Sequence, residues 1–392
     1  MTAPAVEPAI RARQRLPPPP IGGVIGLYSR DTERRTRSAR RGPACRRETD
    51  MQRLGTSGLA VLLAVGLVIG LVAGTTDAQQ KNVLVAKKVA AAPALDGSLD
   101  AAWNAAPPLT VKAMGGKNLP GGATEITTRA LYTADTVYFH VQYKDATQSI
   151  RRAPWVKQAD GSWQKLRDPN DKGGDNNLYY EDKFAMIWNI SSPAFEAKGC
   201  MSACHTGEGK PFGNKYTPGA GERLDMWHFK GVRTGPIGQV DDQYVDNTRY
   251  DPATAKEAGR KSDPKTGGGY VDNATDDKKA PKFALKGNRP APPYWIVDAE
   301  KEPFDDSKYK AGDEVPSILV SPFTGDRGDL AAATAWKDGV RTVVISRKLV
   351  TDSEFDVQFG DLRKPYAFGA AVFDNAQVRH AFTPGVLKMV FE

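Results

Sequence analysis

Two cysteines and a histidine stand close together in the stretch KGCMSACHTGEG, residues 198–209. Three residues separate Cys200 from Cys204, and His205 follows the second thiol directly. The motif by which proteins attach a haem covalently is C-x-x-C-H, in which the thiols bond to the porphyrin and the histidine reaches the iron. This stretch has one extra residue between the thiols, which lengthens the loop without moving the histidine relative to the second cysteine.

Two other readings of the cysteine pair remain open. A disulfide that closes so small a loop would restrict the unfolded chain very little, and it would leave His205 without a role. A structural zinc site usually takes four ligands, and His140, His228 and His380 offer no second pair at ligand spacing. Covalent haem accounts for all three residues better than a local disulfide or a partial metal site.

The positive charge of the chain is concentrated near its N-terminus. Residues 1–78 hold 12 of the 54 Lys and Arg and 6 of the 46 Asp and Glu, so the formal net charge falls from +8 to +2 over residues 79–392. A nucleic-acid partner requires a basic surface on the folded part of a protein. The near-neutral remainder therefore argues against nucleic-acid binding.

An apolar segment near the N-terminus indicates export. Residues 59–73 are an unbroken run of apolar residues and glycine, shorter than the roughly 20 residues of a transmembrane helix and typical of a secretory signal. An uncleaved membrane anchor is the alternative. We therefore divide the chain into three parts. Residues 1–50 are interpreted as a non-native or disordered leader, residues 51–78 as a signal peptide, and residues 79–392 as a single exported domain without a membrane span.

The exported part carries the pattern of β structure. Five runs alternate apolar and polar residues or are rich in β-branched residues between turn residues: 131–145, 182–190, 339–349, 365–375 and 386–392. The stretch from about 207 to 293, dense in Gly, Pro, Asp and Lys, predicts a long loop insertion over a cofactor, with a short buried piece at Leu224–Tyr244. We predict an all-β fold, an antiparallel β-sandwich with long irregular loops.

Five stretches in a fixed order carry a family resemblance. They are LDGSLDAAWNAAPPLTV (95–111), DKFAMIW (182–188), GCMSACH (199–205), DMWHFKG (225–231) and AAVFDNAQVRHAFTPGVLKMVF (370–391). Together they resemble the haem-binding domain family of the ethylbenzene dehydrogenase gamma subunit, over about residues 83–392. That family also includes the haem subunits of related molybdoenzymes and several exported c-type cytochromes.

The resemblance implies a fold, a cofactor and a partner. The fold is a sandwich like those of DOMON-type domains and family 9 carbohydrate-binding modules, and it encloses one haem. The implied role is periplasmic or otherwise exported electron transfer, without catalysis of its own. The implied redox partner has iron–sulfur and molybdenum subunits.

The resemblance also implies ligands for the haem iron. In b-type members the iron lies between a strand methionine, which corresponds to Met186, and a lysine near the C-terminus. Here His380 stands roughly where that lysine would be. This departure implies haem c with His205 as proximal and His380 as distal ligand, with haem b as the alternative cofactor. Other candidates are Met226, His228 and Met186 for the iron, and Lys230 for a propionate.

Two different functions compete with electron transfer. LDGSLDAAWNAAPPL also resembles the N-terminal part of a family 9 carbohydrate-binding module, which would bind sugar without haem. A haem sensor or enzyme would require an open axial position. Two short acidic clusters, Glu181–Lys183 and Asp241–Gln243, are candidates for calcium binding or for lining the propionates, although clusters of this size are usually solvated turns.

Overall fold

The structure is a computed structural model that describes residues 82–171, 174–205 and 215–392. The leader and signal peptide predicted for residues 1–78 lie outside these ranges. No helix in the described part of the chain is long and apolar enough to cross a membrane.

The regular structure of the described residues is almost entirely β. The 21 strands are β1 (Val83–Lys88), β2 (Leu109–Met114), β3 (Ala123–Tyr132), β4 (Thr136–Lys144), β5 (Trp155–Lys157), β6 (Trp163–Lys165), β7 (Lys183–Asn189), β8 (Leu224–Lys230), β9 (Asp241–Val245), β10 (Arg260–Ser262), β11 (Gly267–Asp272), β12 (Phe283–Ala284), β13 (Ile296–Val297), β14 (Glu302–Pro303), β15 (Glu314–Val315), β16 (Ile318–Thr324), β17 (Ala331–Lys337), β18 (Val340–Lys348), β19 (Tyr366–Phe373), β20 (Ala381–Phe382) and β21 (Leu387–Phe391). One α-helix, α1 (Pro193–Lys198), follows β7. Short 3₁₀ helices cover Ala101–Ala105, Pro120–Gly122, Gly199–Ser202, Gly235–Ile237, Asp298–Glu300, Asp306–Lys308 and Asp326–Gly328.

Most of the strands belong to one large sheet. Its order is β10-β9-β8-β7-β19-β20-β2-β3-β4-β18-β17, and a second connection, β19-β21-β1-β3, joins the same two halves. Its strand pairs are antiparallel except those that β1 makes with β21 and β3, which are parallel. Each predicted run therefore forms a strand, and the predicted all-β, mainly antiparallel fold is confirmed.

The two halves of the large sheet lie face to face around one core. Phe139 on β4 contacts Trp188 on β7 and Trp227 on β8, with ring centroids 5.6 and 5.5 Å apart. Tyr143 on β4 stacks on Phe184 on β7. Because these contacts join strands from opposite halves of the sheet order, the halves form the two layers of a sandwich.

The stretch from 207 to 293, expected as a loop insertion, contains strands. Here β8, β9 and β10 extend one layer of the sandwich, whereas β11 joins β13 and β16 in a small sheet of their own. Most of these strands are short and lie between Gly- and Pro-rich turns, so their alternation is weak in the sequence. The buried piece predicted at Leu224–Tyr244 begins with β8 and ends in β9.

Candidate functional site

The outer face of one layer carries the candidate site. Side chains alternate across a strand, and on β7, β8 and β19 the residues Trp188, Trp227 and Phe368 belong to the core between the layers. Their neighbours Ile187 and Met226 belong to a separate apolar cluster on the opposite face. This second cluster also contains Cys200 and Phe195, so the outer face is covered by the segment around α1.

Local geometry in the segment after α1 brings the two thiols together. Proline at Pro193 suits the first turn of the helix, and Gly199, with φ of 55°, ends it. A Cβ at residue 199 would collide with the carbonyl oxygen of Gly385, so this close approach requires glycine. The amide of Cys204 donates to the carbonyl of Cys200 at 2.8 Å. The longer spacing thus forms one helical turn that places both cysteines on the same side.

Cys200 and Cys204 are free thiols in the described chain. Cys200 is buried and Cys204 is half-buried. A hydrogen bond between the two side chains, followed by burial, raises the pKa of the Cys200 thiol well above its usual value. The same hydrogen bond lowers the pKa of Cys204.

A cavity of ≈ 760 Å³ lies over the outer face and is lined by both thiols. Three histidines, His205, His228 and His380, also line it. The volume falls within the range of cofactor sites, about 300–1,000 Å³. His140, in contrast, lies on β4, where its ring is 5.3 Å from that of Trp103.

His205 and His380 face each other across a short distance. Their ring centroids are 5.4 Å apart, and His205 stacks on Phe382 at 4.1 Å. Nδ1 of His380 lies 2.9 Å from the carbonyl oxygen of Val378. Because a carbonyl only accepts, Nδ1 carries the proton and Nε2 keeps its lone pair, which is the tautomer of a metal-ligating histidine.

His228 occupies a different part of the cavity wall. It lies on β8, stacks on Phe373 with centroids 5.5 Å apart, and its Nδ1 is 3.4 Å from the side-chain oxygen of Gln243. Nε2 of His205 and Nε2 of His228 are buried and have no hydrogen-bond partner among the residues that the structure describes. Buried nitrogens of this kind are expected to have a partner.

Burial keeps all three imidazoles neutral. It is the largest cause that lowers the pKa of His205, it lowers that of His228 well below the usual value, and it lowers that of His380 to about 3. Nearby positive groups act in the same direction: Lys215 on His205, and Lys230 on His228. The neutral form is the one that binds a metal.

The remaining wall of the cavity is strongly basic. Within the described chain, seven Lys and Arg side chains but only one carboxylate, that of Glu257, line it. Lys183 is 2% exposed; its Nζ donates to the carbonyl of Gln377 at 2.8 Å and lies 3.9 Å from the ring centroid of Phe373. Burial, followed by the charge of Arg233, lowers the pKa of Lys183 well below its usual value. An anionic ligand would relieve this concentration of positive charge.

The other residues predicted from the sequence have distinct positions. Met226 lies on the outer face of β8 and lines the cavity. Met186 also lines the cavity, but it is 1% exposed and packs in the core between the layers. Lys230 lines the cavity, but its ammonium is ion-paired with Asp241 and lies 3.0 Å from the hydroxyl of Tyr270. A propionate would therefore have to compete with Asp241 for it.

Sequence reasoning does not single out two residues that shape the site: Lys183 is named only within the acidic cluster Glu181–Lys183, and Phe382 is not named. Lys183 begins β7, and the alternation of DKFAMIW places it on the same face as Ile187, so the strand pattern contained that signal. Phe382 stacks under His205, although the two belong to distant segments of the chain. No spacing in the sequence could indicate that contact.

The residues present fit a haem held through thioethers. Two free thiols, a neutral imidazole next in sequence and a second imidazole facing it lie in one cavity of sufficient size. Nε2 of His205, which is buried and has no hydrogen-bond partner among the described residues, suits a haem iron. The basic wall suits the carboxylates of the haem propionates.

Comparison with known proteins gives one family match. The family model described as ethylbenzene dehydrogenase matches residues 100–383. No curated protein sequence matches the chain.

Solved structures give only weak likenesses. A family 9 carbohydrate-binding module from Caldicellulosiruptor kristjanssonii in complex with cellotriose has a TM-score of 0.31 at 8% identity, covering 79% of this chain and 94% of that one. A protein from Bacteroides uniformis, provisionally described as carbohydrate-binding, has a TM-score of 0.33 at 10% identity, covering 79% and 99%. Likenesses this weak say nothing about what this chain binds.

Proposed function

The chain belongs to the ethylbenzene dehydrogenase family, and we propose that it is an exported cytochrome that carries single electrons on one haem c. The observation that carries this proposal is the position of Cys200, Cys204 and His205. All three line one cavity, although the extra residue in the motif departs from C-x-x-C-H. The helical turn between the cysteines accommodates that residue.

His205 and His380 are the axial pair in this proposal. They are the two histidines of the cavity whose rings come within contact distance of each other, and the carbonyl of Val378 fixes the tautomer of His380. Met226 and His228 remain the alternatives on the cavity wall. Met186 also lines the cavity, but its side chain packs in the core between the layers, so it is less available to an iron than Met226 or His228.

The basic wall is assigned to the propionates. Lys183 is the side chain best placed for this role, because it is buried at the cavity and is hydrogen-bonded to a carbonyl. Lys230, the residue expected for this role, already has a carboxylate partner in Asp241. A charge-assisted hydrogen bond from Lys183 would stabilise a carboxylate there.

Bound in this cavity, a haem supplies a one-electron couple whose potential depends strongly on its axial ligands. The residues of the chain have three roles in this proposal. The two thiols would attach the porphyrin, the two imidazoles would ligate the iron, and the rings of Phe373 and Phe382 would exclude water from the cavity. Two side-chain ligands would leave no open axial position, which favours electron transfer over oxygen chemistry. The partner is a redox protein, with the iron–sulfur and molybdenum subunits of an oxidoreductase as the expected class.

The test is a pyridine haemochrome spectrum on protein exported in a bacterium that attaches haem c, before and after acid–acetone extraction. We expect haem that resists extraction in the parent, and loss or extraction of it in Cys200→Ala with Cys204→Ala. Met201→Ala is the matched control, because Met201 lies in the same loop and is exposed.

Three other results of this experiment would contradict the proposal or favour a different function. Haem that extracts freely from the parent would mean a b-type site and would contradict the thioether assignment. Protein that takes up no haem would end the electron-transfer proposal and favour a haem-free sandwich that binds carbohydrate. Thioether haem in the parent with an open sixth position would favour a sensor or an enzyme.

A further inference from the structure

A second cluster of chemically active side chains lies on the other face of the same layer. Asp225 on β8 and Asp242 on β9 point away from the haem cavity, because their neighbours Met226 and Gln243 occupy the outer face. Three more aspartates join them from loops. This carboxylate cluster consists of Asp225, Asp242, Asp263, Asp326 and Asp356.

The five carboxylates form two groups of three that share one member. One oxygen from each of Asp225, Asp242 and Asp356 lies within 4.8 Å of the others, and the same holds for Asp263, Asp326 and Asp356. The two groups share Asp356, so they form one continuous arrangement. Asp225 and Asp242 are fully buried, and Asp263 and Asp356 are 2% and 1% exposed.

Some oxygens of the cluster have protein donors. Oδ2 of Asp225 accepts from Arg347 at 3.0 Å and from the amide of Val357 at 2.9 Å. Oδ2 of Asp356 accepts from Thr351. These donors hold the two carboxylates in place through one oxygen of each.

Five buried oxygens of the cluster have no hydrogen-bond partner within residues 82–171, 174–205 and 215–392. They are one oxygen each of Asp225, Asp242 and Asp356, and both oxygens of Asp263. Buried polar atoms normally have a hydrogen-bond partner or a bound ion, so each of these five oxygens is expected to contact a group that is not part of the protein chain. Asp263 is the clearest case, since neither of its oxygens accepts a hydrogen bond from a backbone or a non-carboxyl donor, and its side chain faces another carboxyl group, that of Asp356.

The charge of the cluster is also unbalanced. Arg347 is the cation that forms an ion pair with it in the described chain, which leaves five carboxylates against one guanidinium. Burying an unpaired carboxylate is strongly unfavourable. Burial is the largest cause that raises the pKa of Asp225 to about 8 and that of Asp263 to about 9. Protonation or a bound cation would remove that cost.

We propose that the carboxylate cluster binds one Ca²⁺ ion. The donor atoms of the cluster are all oxygens, which suits a hard cation. Zinc and copper prefer nitrogen and sulfur ligands, and the cluster offers none. The carboxylates come from five separate segments, and Asp356 belongs to both groups of three, so an ion bound beside Asp356 would have oxygens of either group near it. Ca²⁺ accepts six to eight oxygens in flexible geometry, whereas Mg²⁺ demands a near-ideal octahedron.

The ion would add to the contacts that already connect these parts of the fold, such as the ion pair of Arg327 with Asp241 and the hydrogen bond from the amide of Val357 to Asp225. It would link β8 and β9 to the segments that carry Asp326 and Asp356. This site is separate from the haem cavity, so its role is structural and stands or falls independently of the proposed function.

The experiment measures binding of Ca²⁺ and compares it with binding of Mg²⁺. The purified protein, freed of metal with EDTA and exchanged into buffer at pH 7.5, is titrated with CaCl₂ and with MgCl₂ in a calorimeter, and its Tm is measured in each. We expect about one Ca²⁺ per chain, a higher Tm in calcium than in EDTA, and binding of Mg²⁺ at least about tenfold weaker.

The variant Asp242→Asn with Asp263→Asn separates the site from a general salt effect. We expect its calcium affinity to fall at least about tenfold, while its Tm in EDTA equals or exceeds that of the parent because two buried negative charges are removed. Asp272→Asn with Asp276→Asn, two exposed aspartates, is the control and should keep the parent response.

The proposal is overturned if the parent shows no saturable calcium binding, whether or not the variant folds. It is also overturned if the variant and the control respond alike to calcium. The same titration on Cys200→Ala with Cys204→Ala should give the parent result, so failure of the haem assignment leaves this test intact.

Discussion

A Cβ atom added to Gly369 would lie 2.6 Å from the sulfur of Cys200. Gly369 is in the middle of β19, with its missing side chain directed at the outer face, and Cys200 lies over it. Real Cβ atoms do not approach a sulfur so closely. Glycine is therefore required at this position of the strand for the segment that carries Cys200 to pack against the sheet.

Gly369→Ala should therefore disturb haem attachment. The added methyl group displaces Cys200 from the sheet, so we expect a several-fold lower yield of covalently attached haem. The yield is measured by haem stain on denaturing gels. Gly360→Ala is the control, because its Cβ would meet only a side-chain carbon of Val350 at 3.6 Å. Equal yields from both variants would show that the close approach has no role in attachment.

Substitution of His380 should open one axial position. In the ferric protein we expect His380→Ala to change the absorption spectrum from low spin to high spin, while His228→Ala keeps it low spin. The reason is that His380, not His228, lies 5.4 Å from His205. His380→Met should raise the potential, as methionine does in cytochromes c. A high-spin spectrum from His228→Ala alone would instead assign the distal position to His228.

His140 should make stability sensitive to acid. Burial, followed by the charge of Arg129, lowers its pKa to about 4, below the roughly 6.5 of an unfolded chain. The unfolded state therefore binds more protons between these values, and stability present above pH 6.5 is lost as the pH falls towards 4. Between pH 7 and pH 5, urea unfolding of the parent should lose about 1 to 2 kcal/mol more than His140→Gln. Identical losses would contradict a buried neutral imidazole.

Arg347→Met should be strongly destabilising in EDTA. Arg347 and Asp225 are both fully buried with 3.0 Å between their charged atoms, and removing the guanidinium leaves the carboxylate unpaired. Loss of one partner of a buried ion pair costs about 3–5 kcal/mol. Arg363→Met is the control, because Arg363 is 90% exposed and such surface pairs contribute about 1 kcal/mol or less. Urea unfolding that separates the two variants by less than 1 kcal/mol would refute the assignment.

The sequence predicted strands best where two faces have different surroundings. In β4 and β7 one face packs in the core, so apolar residues alternate clearly. The run AAATAWK of β17 gives no such signal, and its strand is set by pairing with β18 along its full length. The edge strand β10 lies in the stretch predicted as a loop, and β9 ends the piece predicted only as buried. Neither gives a clear strand signal, because both are short and their polar residues bind partners that only the fold supplies.

The same limit applies to the sites. CMSACH is local and could be recognised by its spacing, whereas the contact of His205 with His380 depends on the pairing of β20 with β19. The carboxylate cluster is the extreme case. Its aspartates come from separate segments, and the DDQ stretch supplied only Asp242 as a hint of calcium.

The cysteines and histidines of the candidate site lie outside the layer whose inner face forms the core. Residues that keep the chain folded and residues that would determine redox behaviour are thus largely different sets on opposite sides of the same strands. Substitutions that would alter the ligands or the mode of attachment can therefore leave the packing between the two layers intact.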